Sequence, residues 1–116
     1  MTAKAPISVG VDIVDIHRFA KLKKSSLFLH NNFGRSELTY CFGFKDPAPH
    51  LAGIFAAKEA VYKALGQKIL QSAIKITHDQ NGKPLASLNR RSLASVSVSI
   101  SHSAQSAVAV AINYEL

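Results

Sequence analysis

Leu51-Ala52-Gly53-Ile54-Phe55-Ala56-Ala57-Lys58-Glu59-Ala60-Val61-Tyr62-Lys63-Ala64-Leu65 is the stretch from which the rest of the chain is read. Alanine and leucine favour the helix. With His50 before it and Gly66 behind it as a C-cap, the stretch predicts a helix over 50–65. Its apolar residues (Leu51, Ile54, Phe55, Ala56, Ala57, Ala60, Val61, Ala64 and Leu65) occupy more than one stripe, the mark of a helix covered on most sides. The charges it carries, Lys58, Glu59 and Lys63, therefore need a reason to be there.

Upstream, Asp46-Pro47-Ala48-Pro49 reads as a loop and stiff lead-in, and 36–42 as a short helix with Ser36 as its cap. Residues 15–24 carry a helical spacing in Ile16, Phe19, Ala20 and Lys23, with Asp15 as N-cap. Arg18, Lys21, Lys23 and Lys24 make this the densest positive segment. The β-branched stretch 7–14 predicts a strand in which Gly10 marks a close backbone approach. Downstream, 73–78 alternates as a strand, and Asp79 to Pro84 is a turn around Asn81-Gly82. A short strand is expected over 85–88 and a loop or helical turn over 92–94. Val96, Val98 and Ile100 alternate with serines toward Ser101-His102-Ser103, and 106–114 forms the last strand.

The 116 residues suit one domain over 1–116, and 47% hydrophobic with 18% charged residues excludes a mainly disordered chain. No apolar run approaches the roughly 20 residues of a membrane span. After residues 1–6, Asp12 and Asp15 interrupt the apolar stretch that a signal peptide requires. The lone Cys41 makes no internal disulfide and no zinc cluster, so a cytoplasmic location is expected. With 14 Lys/Arg against 7 Asp/Glu the formal charge is +7, which suits an acidic partner or simple solubility.

Asp12 stands within an apolar strand, where a carboxylate needs either a lysine, the hydrogen bonds of a helix start, or a hard cation. Glu59 and Lys63 at i, i+4 form either a surface pair contributing roughly 0.2–0.5 kcal/mol or part of a site. If Glu59 faces Asp12, the two carboxylates suit Mg²⁺, with Lys58 or Lys63 adding positive charge for phosphates. His102 at a strand end reads as a catalytic group, a phosphate donor or, taken alone, first as a satisfied core histidine. No Walker loop, dinucleotide glycine fingerprint or His-Glu-x-x-His motif is present.

Three segments, in order, resemble the holo-acyl-carrier-protein synthase family of 4′-phosphopantetheinyl transferases. They are Gly10-Val11-Asp12-Ile13-Val14-Asp15-Ile16, then Phe55-Ala56-Ala57-Lys58-Glu59-Ala60 with Lys63-Ala64-Leu65-Gly66, then Val98-Ser99-Ile100-Ser101-His102-Ser103. Asp79 to Pro84 and Arg35-Ser36-Glu37-Leu38 are similar to family segments too. The resemblance implies an α+β fold with a long central helix packed on a small antiparallel β-sheet. It implies transfer of 4′-phosphopantetheine from coenzyme A to a serine of apo acyl carrier protein, releasing adenosine 3′,5′-bisphosphate. It further implies Mg²⁺ as cofactor and a homotrimer with sites between subunits. Carried over by position, Asp12 and Glu59 would hold Mg²⁺ and Lys63 would assist diphosphate cleavage. Lys58, Gly82, Lys83, Pro84 and His102 would meet coenzyme A, and Arg18, Lys21 and Lys24 the acidic carrier protein. Ile54 stands where the family usually has arginine, so one expected positive contact is missing.

Two other readings stand beside this one. A slow or specialised relative would keep the fold. A non-catalytic basic module binding RNA or another polyanion would explain the charge, but it lacks interleaved aromatics and gives Asp12 and Glu59 no task. The family reading expects no nucleic-acid or membrane partner.

Overall fold

Small side chains let a helix and a sheet approach closely, and here they line both surfaces. The computed structural model describes residues 7–114. The opening stretch 1–6, read above for a signal peptide, lies outside the described residues. The elements are β1 (Ser8–Asp15), α1 (His17–Ala20), α2 (Leu27–Asn32), α3 (Arg35–Phe42), α4 (Ala48–Leu65), β2 (Ile74–His78), β3 (Pro84–Leu88), β4 (Arg91–Ser92), β5 (Val96–His102) and β6 (Ser106–Asn113). They form two antiparallel three-stranded sheets, ordered β1-β6-β5 and β2-β3-β4. The fold is the expected α+β arrangement of a long helix on a small antiparallel sheet, with a second small sheet added.

On α4, Ala52, Ala56, Ala57, Ala60 and Ala64 are buried, and on β6 so are Ala107, Ala109 and Ala111. Gly10 of β1 backs onto α4 so closely that a Cβ there would run into the Ala60 carbonyl. The close approach read from the sequence is therefore present. Larger α4 side chains, Leu51, Ile54 and Val61, are buried as well. Complete burial of such a side chain stabilises by about 1.5–3 kcal/mol. Phe19, Phe28, Phe33 and Phe55 meet at ring separations of 5.7–6.4 Å and pin α1 and α2 to α4.

Several boundaries differ from expectation. α4 begins at Ala48 because Pro49 lies in its first turn, where a missing N–H costs nothing. Gly66, at φ +63°, closes it in the left-handed conformation. The helix expected over 15–24 is a single turn. Phe19 is its only buried residue, while Lys21, Lys23 and Lys24 are exposed like charges that do not favour extending it. Asp15 caps locally, accepting a 3.0 Å hydrogen bond from the His17 N–H. The chain then restarts as α2, unforeseen in the sequence, with Leu29 as its buried anchor. Gly34 rather than Ser36 precedes α3, and the Glu37 carboxylate reaches back to accept the Gly34 N–H at 2.7 Å. Within 92–94, Ser92 belongs to β4, which follows a two-residue turn. Asn89 and Arg90 there adopt φ of +50° and +69°, as a type I′ hairpin requires.

β1 carries its apolar residues on an unexpected side. Gly10, Asp12 and Val14 face α4, whereas Val9, Val11 and Ile13 point outward and are more than half exposed. Across the ladder they stand opposite Ile112, Val110 and Val108 of β6. The outer face of the first sheet is thus an apolar patch next to an edge strand.

Candidate active site

Lys63, in the last turn of α4, reaches β1. Its ammonium donates to the Val11 carbonyl at 2.9 Å and to Asp12 Oδ1 at 3.4 Å. The pair is open to solvent, with the lysine side chain 50% and the aspartate 19% exposed. Glu59 lies one helical turn before Lys63 on the same face, half-buried, and among the described residues makes no hydrogen bond or ion pair. The apolar strand thus delivers Asp12 to α4, where a lysine compensates it and a second carboxylate stands unpaired.

This donor set suits Mg²⁺. That ion takes hard oxygen ligands, usually one or two protein carboxylates with waters and substrate phosphates completing its shell. Asp12 and Glu59 would supply the carboxylates, and Lys63 lies beside Asp12 as a cation. Among the described residues no cluster of three or more metal-ligating side chains occurs.

Lys58, five residues before Lys63, has a different place from the one expected. It is 3% exposed, donating at 2.8 Å to Glu37 Oε1 and at 2.7 Å to the Asn32 carbonyl. Glu37 also accepts the Ile76 N–H at 2.9 Å, so one carboxylate joins α3, α4 and β2. Burial lowers the Lys58 ammonium below its usual range, and the Glu37 charge opposes that shift. Its partners hold this charge inside. Glu37, read only as part of a familiar segment, is the residue that explains it.

Gly82, Pro84 and His102 do come together. They line a cavity of about 160 Å³ with Tyr40, His50, Gly53, Ile54 and His78. Lys83, between Gly82 and Pro84, is exposed on a turn in which Asp79 Oδ1 accepts the Asn81 and Lys83 N–H groups at 2.8 and 2.9 Å. His102 is exposed rather than a core histidine, because β5 ends there at the cavity rim. Ile54 is buried in the cavity wall. Arg18, Lys21 and Lys24 are exposed on and after α1. The Arg18 guanidinium lies 5.5 Å from the Phe55 ring centre, and Lys24 lines a separate cavity with His30, Phe33 and Arg35.

Residues 8–112 match the profile of the 4′-phosphopantetheinyl transferase superfamily. A holo-[acyl-carrier-protein] synthase from Protochlamydia amoebophila is 45% identical over 89 residues, covering 72% of this chain and 73% of that protein. One from Chlorobium limicola is 38% identical, covering 91% and 92%. The chain belongs to the holo-[acyl-carrier-protein] synthase family. Synthase structures agree. That from Bacillus anthracis, in complex with coenzyme A (3′,5′-ADP), superimposes with a TM-score of 0.76 at 30% identity, covering 94% of this chain and 96% of that one. That from Helicobacter pylori, in complex with coenzyme A, gives 0.73 at 36% identity, covering 89% and 96%. The family recognised from the three segments, and the phosphopantetheinyl transferase activity it carries, are those of this chain.

As a synthase, the molecule holds two residues at its cavity that sequence reasoning passed over. His50 opens α4 and His78 ends β2, and neither spacing nor local pattern links them to His102. The only signal was that each stands near the end of a predicted element. The His50 ring is stacked on Phe44 at 3.6 Å and the His78 ring on Tyr40 at 4.0 Å. Burial lowers both imidazoles below their ordinary range, which favours the neutral form.

Proposed function

We propose that this synthase transfers 4′-phosphopantetheine from coenzyme A to a serine of apo acyl carrier protein in an Mg²⁺-dependent reaction that releases adenosine 3′,5′-bisphosphate. The observation that carries the reading is the meeting of Asp12 and Lys63 where β1 crosses α4, with Glu59 one helical turn before Lys63 on the same face. Asp12 and Glu59 would hold the ion. When bound, Mg²⁺ neutralises the diphosphate of coenzyme A and stabilises charge on the departing phosphate. Lys63, half exposed and 3.4 Å from Asp12, would turn from it to a diphosphate oxygen. The carrier's serine oxygen forms a bond to the phosphorus bearing pantetheine, and the bond from that phosphorus to the bridging oxygen breaks. The serine proton leaves to a carboxylate or a water, and the bridging oxygen departs with the nucleotide. Positioning supplies much of the remaining acceleration.

The cavity of Gly82, Pro84 and His102 would receive coenzyme A, with Lys83 beside it. Exposed Arg18, Lys21 and Lys24 would steer an acidic carrier protein, an attraction that weakens with salt. The outward Val9, Val11 and Ile13, facing Val108, Val110 and Ile112 across the ladder, support assembly into a homotrimer with sites between subunits. A cytoplasmic location suits a free, buried Cys41.

Intact-mass spectrometry of apo acyl carrier protein incubated with this chain, coenzyme A and Mg²⁺ tests the reading. A gain of one phosphopantetheine, abolished by EDTA and largely lost in Glu59→Gln, is expected. Full activity of Glu59→Gln would reject the metal assignment, and no gain with any carrier would reject the transfer.

A further inference from the structure

The cavity beside Gly82 and Pro84 brings three imidazoles to one place. His50 comes from the start of α4, His78 from the end of β2 and His102 from the end of β5, with the His50 and His102 ring centres 6.3 Å apart. No lysine or arginine occurs among its described lining residues. Its α4 residues His50, Gly53 and Ile54 precede Glu59 by nine, six and five residues, His50 by about 13 Å of helix rise. A cavity that admits phosphate needs positive charge or hydrogen-bond donors. Here the ionisable side chains that line it and can become positive are histidines.

The stacking partners hold these rings at the site. Phe44 and Tyr40 each lie flat against one imidazole, leaving the ring edges, which carry the nitrogens, for other contacts. The charged and titratable surroundings can be named element by element. His50 is faced by His102 from β5, His78 from β2, Asp46 from the loop before α4 and Tyr40 from α3. His78 has Asp79 beside it and Tyr40 stacked on it. Burial raises the Tyr40 phenol above its ordinary value, so it remains a neutral donor. His102 Nδ1 lies 3.4 Å from the Ser103 carbonyl.

We propose that His50 and His78, beside His102, form a proton-accepting cradle for a phosphate of coenzyme A, and that coenzyme A binding is coupled to proton uptake at His50 and His78. The inference rests on the coenzyme A reading given above. Burial favours the neutral forms of His50 and His78, reinforced at His50 by the neighbouring His102 and His78 and opposed by Asp46 at His50 and Asp79 at His78. An entering phosphate supplies the opposite charge that favours imidazolium, so each bound molecule carries protons in with it. Affinity then rises as pH falls from 8.0 to 6.5, a window above the phosphomonoester's own second ionisation near 6. The two phosphate sources on coenzyme A, its diphosphate and its phosphomonoester, share this chemistry.

Isothermal titration of the full chain with coenzyme A, at constant Mg²⁺ and in two buffers of different ionisation enthalpy, reads the coupling directly. Uptake of roughly half a proton per ligand at pH 7 is expected, with Kd about fivefold tighter at pH 6.5 than at 8.0. The double variant His50→Phe/His78→Phe keeps both rings and should flatten this dependence. His78→Lys replaces a titrating charge by a fixed one and should keep binding tight at pH 8.0. Circular dichroism melting confirms that each variant is folded. Dephospho-coenzyme A, lacking the phosphomonoester, loses the uptake if that group occupies the cradle and retains it if the diphosphate does.

Tight coenzyme A binding with no proton uptake would overturn the cradle and leave the transferase reading intact. Unchanged uptake in the folded double variant would overturn the assignment to His50 and His78. Absence of coenzyme A binding at every pH would overturn the coenzyme A reading and the cradle with it.

Discussion

Two lysine–carboxylate pairs stand five residues apart on the same helix and serve opposite ends. Lys58 and Glu37 meet at 2.8 Å with side chains 4% and 0% exposed; Lys63 and Asp12 meet at 3.4 Å with side chains 50% and 19% exposed. The first pair is closed by further bonds to Gly34, Asn32 and Ile76. The second is more exposed, and Glu59, one turn away on the same helix face, makes no hydrogen bond or ion pair among the described residues. Desolvation explains the difference. A buried pair cannot exchange partners without stranding a charge in a low dielectric, whereas an exposed pair exchanges at little cost. On the proposed mechanism, turning toward a phosphate would fall to Lys63, whereas Lys58 joins α3, α4 and β2 through Glu37.

The sharpest way to break this contrast is Glu37→Ala. It leaves the Lys58 charge buried and two N–H groups without an acceptor, so a loss of about 3–5 kcal/mol is expected in urea unfolding. A loss below about 1 kcal/mol would show that the pair does not hold the elements together. Asp12→Asn and Lys63→Met should behave in the opposite manner. Their stability should change by less than about 1 kcal/mol, while carrier-protein transfer falls about a hundredfold or more. A large stability loss with normal turnover in either variant would merge the two pairs into one structural class.

A smaller effect comes from pH. His50 and His78 are held below the ordinary histidine range in the folded chain. The unfolded chain therefore binds more protons as pH falls through about 6.5. The stability from these groups is full above that value and is lost as pH drops through the folded values. The melting temperature should be roughly a few degrees lower at pH 5.5 than at 7.5, and less so in His50→Phe/His78→Phe. Near the buried pair, the Cys41 thiol is pushed up to about 12 by burial and, second, by the Glu37 charge. It should resist thiol reagents at pH 8 in the native state and react on unfolding; rapid native labelling would show that the region opens.

The legible features were those encoded over short distances. The helix over 50–65, the strands flanking it and the Asn81-Gly82 turn all depend on local pattern, and each formed with boundaries shifted by a residue or two. The short helical turn at α1 and the separate α2 were misread because six or fewer residues carry too little periodicity to fix a boundary. Asp12, Glu59 and Lys63 stood out because each is a charge in an apolar setting, a conflict visible without coordinates.

What the order of residues could establish on its own was the family, the central helix and the charges in need of a task. Which partner each charge found depended on strand register and helix crossing. Lys58 met Glu37 across 21 residues, and three histidines from three elements met at one cavity. The outward turn of Val9, Val11 and Ile13 follows in the same way. Alternation gives a strand two faces, but only packing against α4, at Gly10, decides which of them is covered.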